Sequence, residues 1–323
     1  MASTTVKVLV SSAGRRVELV QCFRAAAAEL RIPIEIIACD AEPELSSACQ
    51  IADKSFKVPP CSHKDFIAAV AAITLDEGVQ LVVPTIDPEL LPFALAATEF
   101  AKNGTRIHVS DASVIGMARD KLETMRTLGA AGVPVPRTAG LEEVRARPDD
   151  WSWPLFVKPT SGSASRLISK VDEPSDLPLA PPEPMIVQEF LDGAEFTVNI
   201  FISATGELKC AVAHHRLRVR AGEVEKGLTV RNETLSKIAR SIAAALPGAS
   251  GVLCFQVIDS SQSGPRVIEV NARFGGGYPL AHHAGATFTR WLIEETLGHP
   301  STAHDNWREG VLMLRYDAAV FQG

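Results

Sequence analysis

No stretch of the chain approaches the roughly 20 consecutive apolar residues needed to cross a bilayer. Its first residues, MASTTVKVLVSSAGRR, lack the basic-then-apolar layout of a secretory signal. The expectation is a cytoplasmic protein without membrane contact. Positive charge is not in excess: 32 Lys and Arg stand against 38 Asp and Glu, for a formal charge of -6 and a pI near 5.8. With its basic residues scattered, the chain offers no field for tracking a nucleic acid backbone. Its six cysteines (Cys22, Cys39, Cys49, Cys61, Cys210 and Cys254) never form Cys-x-x-Cys, and several sit inside apolar runs. They read as reduced, buried thiols and not as zinc ligands. The early SSAGRR lacks the three-glycine dinucleotide fingerprint, which argues against an oxidoreductase. There is no internal repeat. What the chain does have is 323 residues, 46% of them hydrophobic, enough for two or three packed units.

Through the first third, short apolar runs (VKVLVS, IEIIACD, LVVPT) alternate with helical patterns (VELVQCFRAAAAELR, FIAAVAAITLDEG), the rhythm of βα units around a parallel sheet. Ligands collect beyond the carboxyl ends of such strands, which puts Ser11 to Arg16, Asp40, and Thr85 to Glu89 on one rim. A helix through DKLETMRTLGAAG stops at Gly132 before Pro134 and Pro136. Further on, longer alternating strands (FTVNIFIS, ELKCAVAHHRLRV, GVLCFQVID, PRVIEVNAR) predict an antiparallel sheet, with helices at TLSKIARSIAAAL and TFTRWLIEETLG. The fold class is therefore α/β plus α+β.

Polar residues interrupt these strands at informative places. Glu269 and Asn271 lie two apart and so share a face. If DSSQSGP folds GVLCFQVI back on PRVIEVNA, Gln256 joins them. Three hard oxygen donors suit magnesium, which is held by one or two carboxylates together with substrate phosphates. An ordinary solvated sheet face is the alternative. In WPLFVKPTSGSAS, Lys158 ends an apolar strand before a small-residue turn, Ser161, Gly162 and Ser163, whose amides could cradle phosphate oxygens. A surface hairpin is the alternative there. In MIVQEFLDGAEF, Glu189 and Glu195 flank a bend able to offer backbone groups to a purine and a carboxylate to ribose.

The order Asp120-Lys121, Lys158, Gln188-Glu189 with Glu195, Gln256, and Glu269-x-Asn271-x-Arg273 resembles the ATP-grasp superfamily. SAGRR, PTIDPEL and RFGGGYPLAHHAGA make the chain most similar to a single synthetase module of the carbamoyl phosphate synthetase large subunit. The resemblance implies an N-terminal pre-ATP-grasp α/β domain over residues 1–115. It implies a small ATP-grasp subdomain with linker helices over 116–190, and a C-terminal subdomain with the metal site over 191–323. It also implies ATP and Mg2+ as cofactors, with Mn2+ as the alternative ion. Lys121 would reach the nucleotide phosphates and Lys158 the α-phosphate and adenine edge. Glu189 and the backbone of Phe190 and Leu191 would line the adenine, Glu195 the ribose. Gln256, Glu269 and Asn271 would hold metal, and Arg273 would sit beside the transferred phosphoryl group. The flap SGSASRLI departs from the pattern with Ala164 and Leu167 where relatives often have glycines, which stiffens it.

Such proteins typically phosphorylate a carboxylate to an acyl phosphate that an amine then attacks. The expected reaction is ATP-dependent amide formation from a small carboxylate and an amine, in a chain able to form a homodimer. A kinase, a carboxylase on the same fold, or a nucleotide-binding regulator without turnover are the alternatives. With neither a biotin-carrier segment nor a second synthetase copy, the chain does not read as a complete biotin carboxylase or carbamoyl phosphate synthetase. His215, Arg216 and Arg218 in AHHRLRVRAGEVEKG, with Lys226 beyond them, are candidates for the acceptor carboxylate, and a solvated basic edge strand is the alternative. Regular alternation puts Arg216, Arg218 and Arg220 on one face and His215 on the other. Gly275, Gly276 and Gly277 let the backbone approach the acceptor. Asp87 and Glu89 could hold an ammonium group, with a helix-capping role for Asp87 as the alternative. Arg15 and Arg16 could hold a second carboxylate or phosphate, and His282 or His283 could act as a general base or be plain helix residues.

Overall fold

The computed structural model describes residues 5–162 and 167–322. The βα rhythm forms a parallel sheet of strands β1 (Val6–Ser11), β2 (Ile34–Asp40), β3 (Lys54–Lys57), β4 (Leu81–Pro84) and β5 (Arg106–Ile107), in the order β3-β2-β1-β4-β5. Between them run helices α1 (Val17–Leu30), α2 (Ser47–Ile51), α3 (Phe66–Glu77) and α4 (Asp87–Lys102). The order reverses between β1 and β4. Loops leaving the carboxyl ends of those two strands, with Arg15, Arg16, Thr85 and Asp87, therefore border a crevice.

Helices α5 (Ala112–Arg119) and α6 (Lys121–Ala130) lead away from this sheet. Asp120 caps α6 by accepting from the amides of Leu122 and Glu123 at 2.9 and 3.0 Å. A small antiparallel sheet follows, from β6 (Thr138–Gly140), β7 (Leu155–Pro159), β8 (Ser169–Val171) and β9 (Met185–Glu189), with α7 (Leu141–Ala146) beside it. The larger sheet comprises β10 (Gly193–Ile202), β11 (Leu208–Arg220), β12 (Glu223–Thr229), β13 (Gly251–Ser260), β14 (Gly264–Asn271) and β15 (Leu312–Leu314), in the order β14-β13-β10-β11-β12-β15. Its companions are α8 (Glu233–Ala245), α9 (Tyr278–His283) and α10 (Phe288–Thr296). Among the described residues no helix is long and apolar enough to cross a membrane.

The first sheet does not close its own core. On one face, Leu9, Ile37 and Val82 meet Phe66, Val70 and Phe93 from α3 and α4. On the other, Val8, Val10 and Phe23 share a cluster with Tyr278, Phe288 and Trp291 from the far end of the chain. The expected division into 1–115 and 191–323 thus leaves out a fact of packing: α9 and α10 bury their apolar side in the first unit's core. Trp291 is fully buried there, and its removal would cost about 3–5 kcal/mol.

Candidate active site

The three layers meet around a cavity of about 690 Å³, within the size range of small-molecule sites. One wall is the large sheet. In β10, β13 and β14, Thr197 pairs with Gln256 and Gln256 with Glu269, which places the three on one face. Asn271 follows two residues after Glu269, and all four line the cavity. Val270 between Glu269 and Asn271 and Ala272 beyond enter the core beneath, and a slip in the β13–β14 pairing between Gln256 and Val257 sets Glu269 opposite Gln256. The Glu269 carboxylate accepts no hydrogen bond among the described residues.

Facing this wall are two buried lysines. Lys121, the first residue of α6, donates to the Gly162 carbonyl at 2.7 Å. Lys158 in β7 donates to the Ile268 carbonyl at 3.1 Å. Neither forms an ion pair within 4 Å among the described residues. Burial pushes the Lys158 ammonium down to about 8, helped by Lys121 and opposed by Glu269. Ser161, Gly162, Glu189, Phe190, Leu191 and Glu195 line the same cavity. Ser163 and Ala164 lie outside the described residues. Leu167 sits at φ 51°, in the left-handed region that favours glycine, at a position where the sequence comparison expected one.

The side of the cavity where the sequence places an acceptor differs in detail from that expectation. Arg216 lines the cavity and is tied to Glu195 at 3.2 Å, to Thr197, and to the Gly222 carbonyl. Arg218 does not line it. The pairing of β11 with β12 slips between Arg216 and Arg218 and again before Val219, so regular alternation fails. Val219 turns inward, while Arg218 and its cross-strand partner Lys226 lie off the cavity. Arg220 faces solvent, paired with Asp317 at 2.6 Å. His215 is also off the cavity, stacked on Phe196 with ring centroids 5.0 Å apart. His215, Arg218 and Lys226 are thus not brought to the site.

Asp87 is there, but engaged. Arg273 donates to it through Nε at 3.0 Å and Nη2 at 2.7 Å, and to Asn271 Oδ1 at 3.1 Å. Burial alone would lower the Arg273 pKa, and the Asp87 carboxylate reverses that into a net rise. Asp87 is the first residue of α4, not its cap, which is Ile86. Glu89 is fully buried, accepting from Ser11, Ser12, Thr85 and Ile86, and so holds the rim together and is closed to any ammonium. Burial raises its pKa against those bonds. His282 bonds Tyr278 at 3.2 Å within the helical core, and burial lowers it to about 4. Neither His282 nor His283 lines the cavity.

Gly275, Gly276 and Gly277 cross the mouth of the site. A Cβ on Gly277 would stand 2.8 Å from His214 Nε2, and one on Gly276 would overlap the Glu223 carboxylate. Close approach, and not an unusual φ, requires glycine here. Sequence reasoning missed Glu223 and Arg315. Glu223 lines the cavity between Arg16 at 3.3 Å and Arg315 at 3.0 Å, and Arg315 also donates to the Gly276 carbonyl. Burial would raise the Glu223 pKa, but Arg16 and then Arg315 bring it below the usual range. Lone charges at the start of β12 and just beyond β15 carry no motif that would reveal them.

Among the described residues, no three His, Cys, Asp or Glu side chains converge as a metal-holding group. The oxygen set of Gln256, Glu269 and Asn271, with one carboxylate, fits a hard cation that shares its sphere with phosphate and water.

The comparisons with known proteins agree with this layout. Residues 118–277 match the ATP-grasp domain family, and residues 8–108 match the PylC-like N-terminal domain. The chain is 31% identical over 208 residues to the formate-dependent phosphoribosylglycinamide formyltransferase of Synechococcus sp. strain CC9605, covering 59% of this chain and 50% of that one. It is 36% identical over 97 residues to the D-alanine–D-alanine ligase of Methylibium petroleiphilum, covering 26% and 30%. The chain thus spans half or less of the length of these relatives. The biotin carboxylase domain of Hydrogenobacter thermophilus 2-oxoglutarate carboxylase, solved with MgADP and bicarbonate, superposes with a TM-score of 0.75 at 17% identity, over 95% of this chain and 73% of that one. The chain therefore has the ATP-grasp fold and carries an ATP-grasp domain behind a PylC-like N-terminal domain.

Proposed function

We propose that the protein is an ATP-dependent carboxylate–amine ligase that forms an amide through an acyl phosphate and releases ADP and phosphate. The observation that carries this reading is the pair Lys121 and Lys158. Two ammonium groups from different elements are buried beside one cavity, with carbonyl oxygens as their hydrogen-bond partners among the described residues, facing a Glu269 that accepts no hydrogen bond from those residues. Buried cations without counter-ions are costly, and a polyphosphate supplies the missing charge. The MgADP bound to the Hydrogenobacter relative supports the same assignment.

Glu189 and the backbone of Phe190 and Leu191 would take the adenine edge, and Glu195 the ribose. Gln256, Glu269 and Asn271 would hold Mg2+, or Mn2+ in its place. Bound there, the ion supplies charge neutralisation on the β- and γ-phosphates. Arg273, held in place by Asp87, would offset charge on the transferring phosphoryl group, and Arg216 would orient the acid. An acceptor carboxylate oxygen then bonds to the γ-phosphorus as the bond to the β-phosphate oxygen breaks. In the second step the amine nitrogen bonds to the acyl carbon, phosphate departs, and the amine loses a proton. A narrower kinship with carbamoyl phosphate synthetase modules is proposed on SAGRR, PTIDPEL and RFGGGYPLAHHAGA.

The test is a pairwise screen of small acids and amines for ADP release with Mg·ATP, with hydroxylamine replacing the amine. The expected result is a hydroxamate from one acid class, and a dehydrated acid–amine adduct when both substrates are present. A stable phosphorylated product without hydroxamate would favour the kinase alternative, and a carboxylated product the carboxylase.

A further inference from the structure

At the mouth of the cavity, positive charge exceeds what the protein itself neutralises. Elsewhere around the site each arginine has its own carboxylate, Arg273 with Asp87 and Arg216 with Glu195. At the start of α1 the count differs. Arg15 lines the cavity, is exposed, and has no hydrogen bond or ion pair among the described residues. Arg16, the residue capping α1, has a single contact of 3.3 Å to Glu223, and that carboxylate is shared with Arg315 at 3.0 Å. Two guanidinium groups thus share one carboxylate, and Arg15 beside them on the cavity wall has none among the described residues. The amino end of a 14-residue helix adds a further partial positive charge. Burial lowers the Arg16 pKa, with Glu223 opposing it and the neighbouring Arg273 and Arg315 adding to it, as befits a guanidinium short of negative charge.

Resting on the ligase reading of the main cavity, we propose that the acceptor carries a second anionic group, a carboxylate or a phosphate, which seats on Arg15 and Arg16 in exchange for Glu223. Arg315 is the positioning residue of this seat. It holds Glu223 from outside the cavity and the Gly276 carbonyl at its edge, so a Glu223 released from Arg16 keeps a partner. Glu223 then acts as a built-in competitor: it keeps Arg16 paired when no acceptor is bound and discriminates against acceptors with one charge, which cannot replace it. A planar guanidinium fork suits either oxyanion.

The test uses the full chain saturated with Mg2+ and a non-hydrolysable ATP analogue, titrated calorimetrically with acetate, succinate, phosphoglycolate and glycine. Succinate or phosphoglycolate should bind at least about tenfold more tightly than acetate, the scale of one charge-assisted contact. Whichever of the two is tighter identifies the second group as carboxylate or phosphate. Arg16→Gln should abolish the preference while leaving nucleotide affinity unchanged. Glu223→Gln should strengthen dianion binding severalfold, a gain that a merely structural role would not give. Equal affinity for acetate and the dianions, tightest binding of glycine, or weaker dianion binding by Glu223→Gln would each overturn the proposal. Failure of the nucleotide analogue to bind at all would overturn the ATP site on which it rests.

Discussion

Asp87 and Arg273, 186 residues apart in sequence, form a two-point ion pair that joins the rim of the parallel sheet to the end of the strand bearing Glu269 and Asn271. Both side chains are mostly buried, 22% and 12% exposed. The same guanidinium reaches Asn271, so one carboxylate from the first unit orients both the proposed phosphoryl-side cation and a proposed metal ligand of the second. This contact makes the N-terminal unit part of the proposed catalytic geometry and not merely a neighbour of it.

Asp87→Asn keeps the shape and removes the charge. Arg273 is then left buried without its counter-ion, at an expected cost of about 2–3 kcal/mol in stability. Urea unfolding should show a lower midpoint at an unchanged slope. Turnover should fall more than Mg·ATP affinity, because the variant misorients Arg273 without touching Lys121 or Lys158.

Lys158 links stability to pH. Its folded pKa of about 8 lies below the usual lysine value of 10.5, so between those values the unfolded chain binds more protons than the folded one. Stability from this group therefore rises as pH increases from about 8 to 10.5, and the full burial cost applies below 8. Lys158→Met should make the free protein more stable at pH 7, by on the order of 3 kcal/mol at most, with the gain fading toward pH 10.5. The same variant should lose Mg·ATP binding. In the wild type, binding near pH 8.5 should take up a fraction of a proton, measurable by calorimetry in buffers of different ionisation enthalpy.

Much of the site was legible because periodicity constrains it. Glu269 and Asn271 share a face, as two-residue spacing requires, but regular pairing from the turn would set Gln256 against Ile268, and a slip in the register between Gln256 and Val257 brings it opposite Glu269. Lys158 is legible because an ammonium at the end of an apolar run is unusual, whereas Lys121, at a polar helix start, is reached through the family resemblance alone. Arg218 and Lys226 were misplaced because a bulge leaves no mark in the residue pattern, and one extra residue reverses every side chain beyond it. From sequence Asp87 reads as an ammonium ligand or a helix cap, and its actual partner Arg273 is hidden because it lies far along the chain. Glu223 and Arg315 acquire meaning only when the start of β12, the α1 loop and the segment after β15 converge. Nor does sequence alone show α10 covering the first sheet, because an amphipathic helix reveals that it has an apolar face without revealing what covers it.

Glu269→Gln separates binding from turnover. The carboxylate is the single formal charge among Gln256, Glu269 and Asn271, so its loss should lower turnover at least about a hundredfold while leaving the thermal midpoint of the free protein nearly unchanged. Steady-state assays with the acid and amine found by the screen would measure this. Near-normal turnover would reduce the three side chains to an ordinary polar sheet face.

The most direct test of the nucleotide site is thermal unfolding of the wild-type chain with and without Mg·ATP, with NAD as the control. A ligand that binds only the folded state stabilises it by roughly 2.7 kcal/mol at a hundredfold excess over its dissociation constant. The account expects a rise in midpoint with millimolar Mg·ATP, a much smaller one in Lys158→Met, and none with NAD. No rise with Mg·ATP alongside a clear rise with NAD would contradict it.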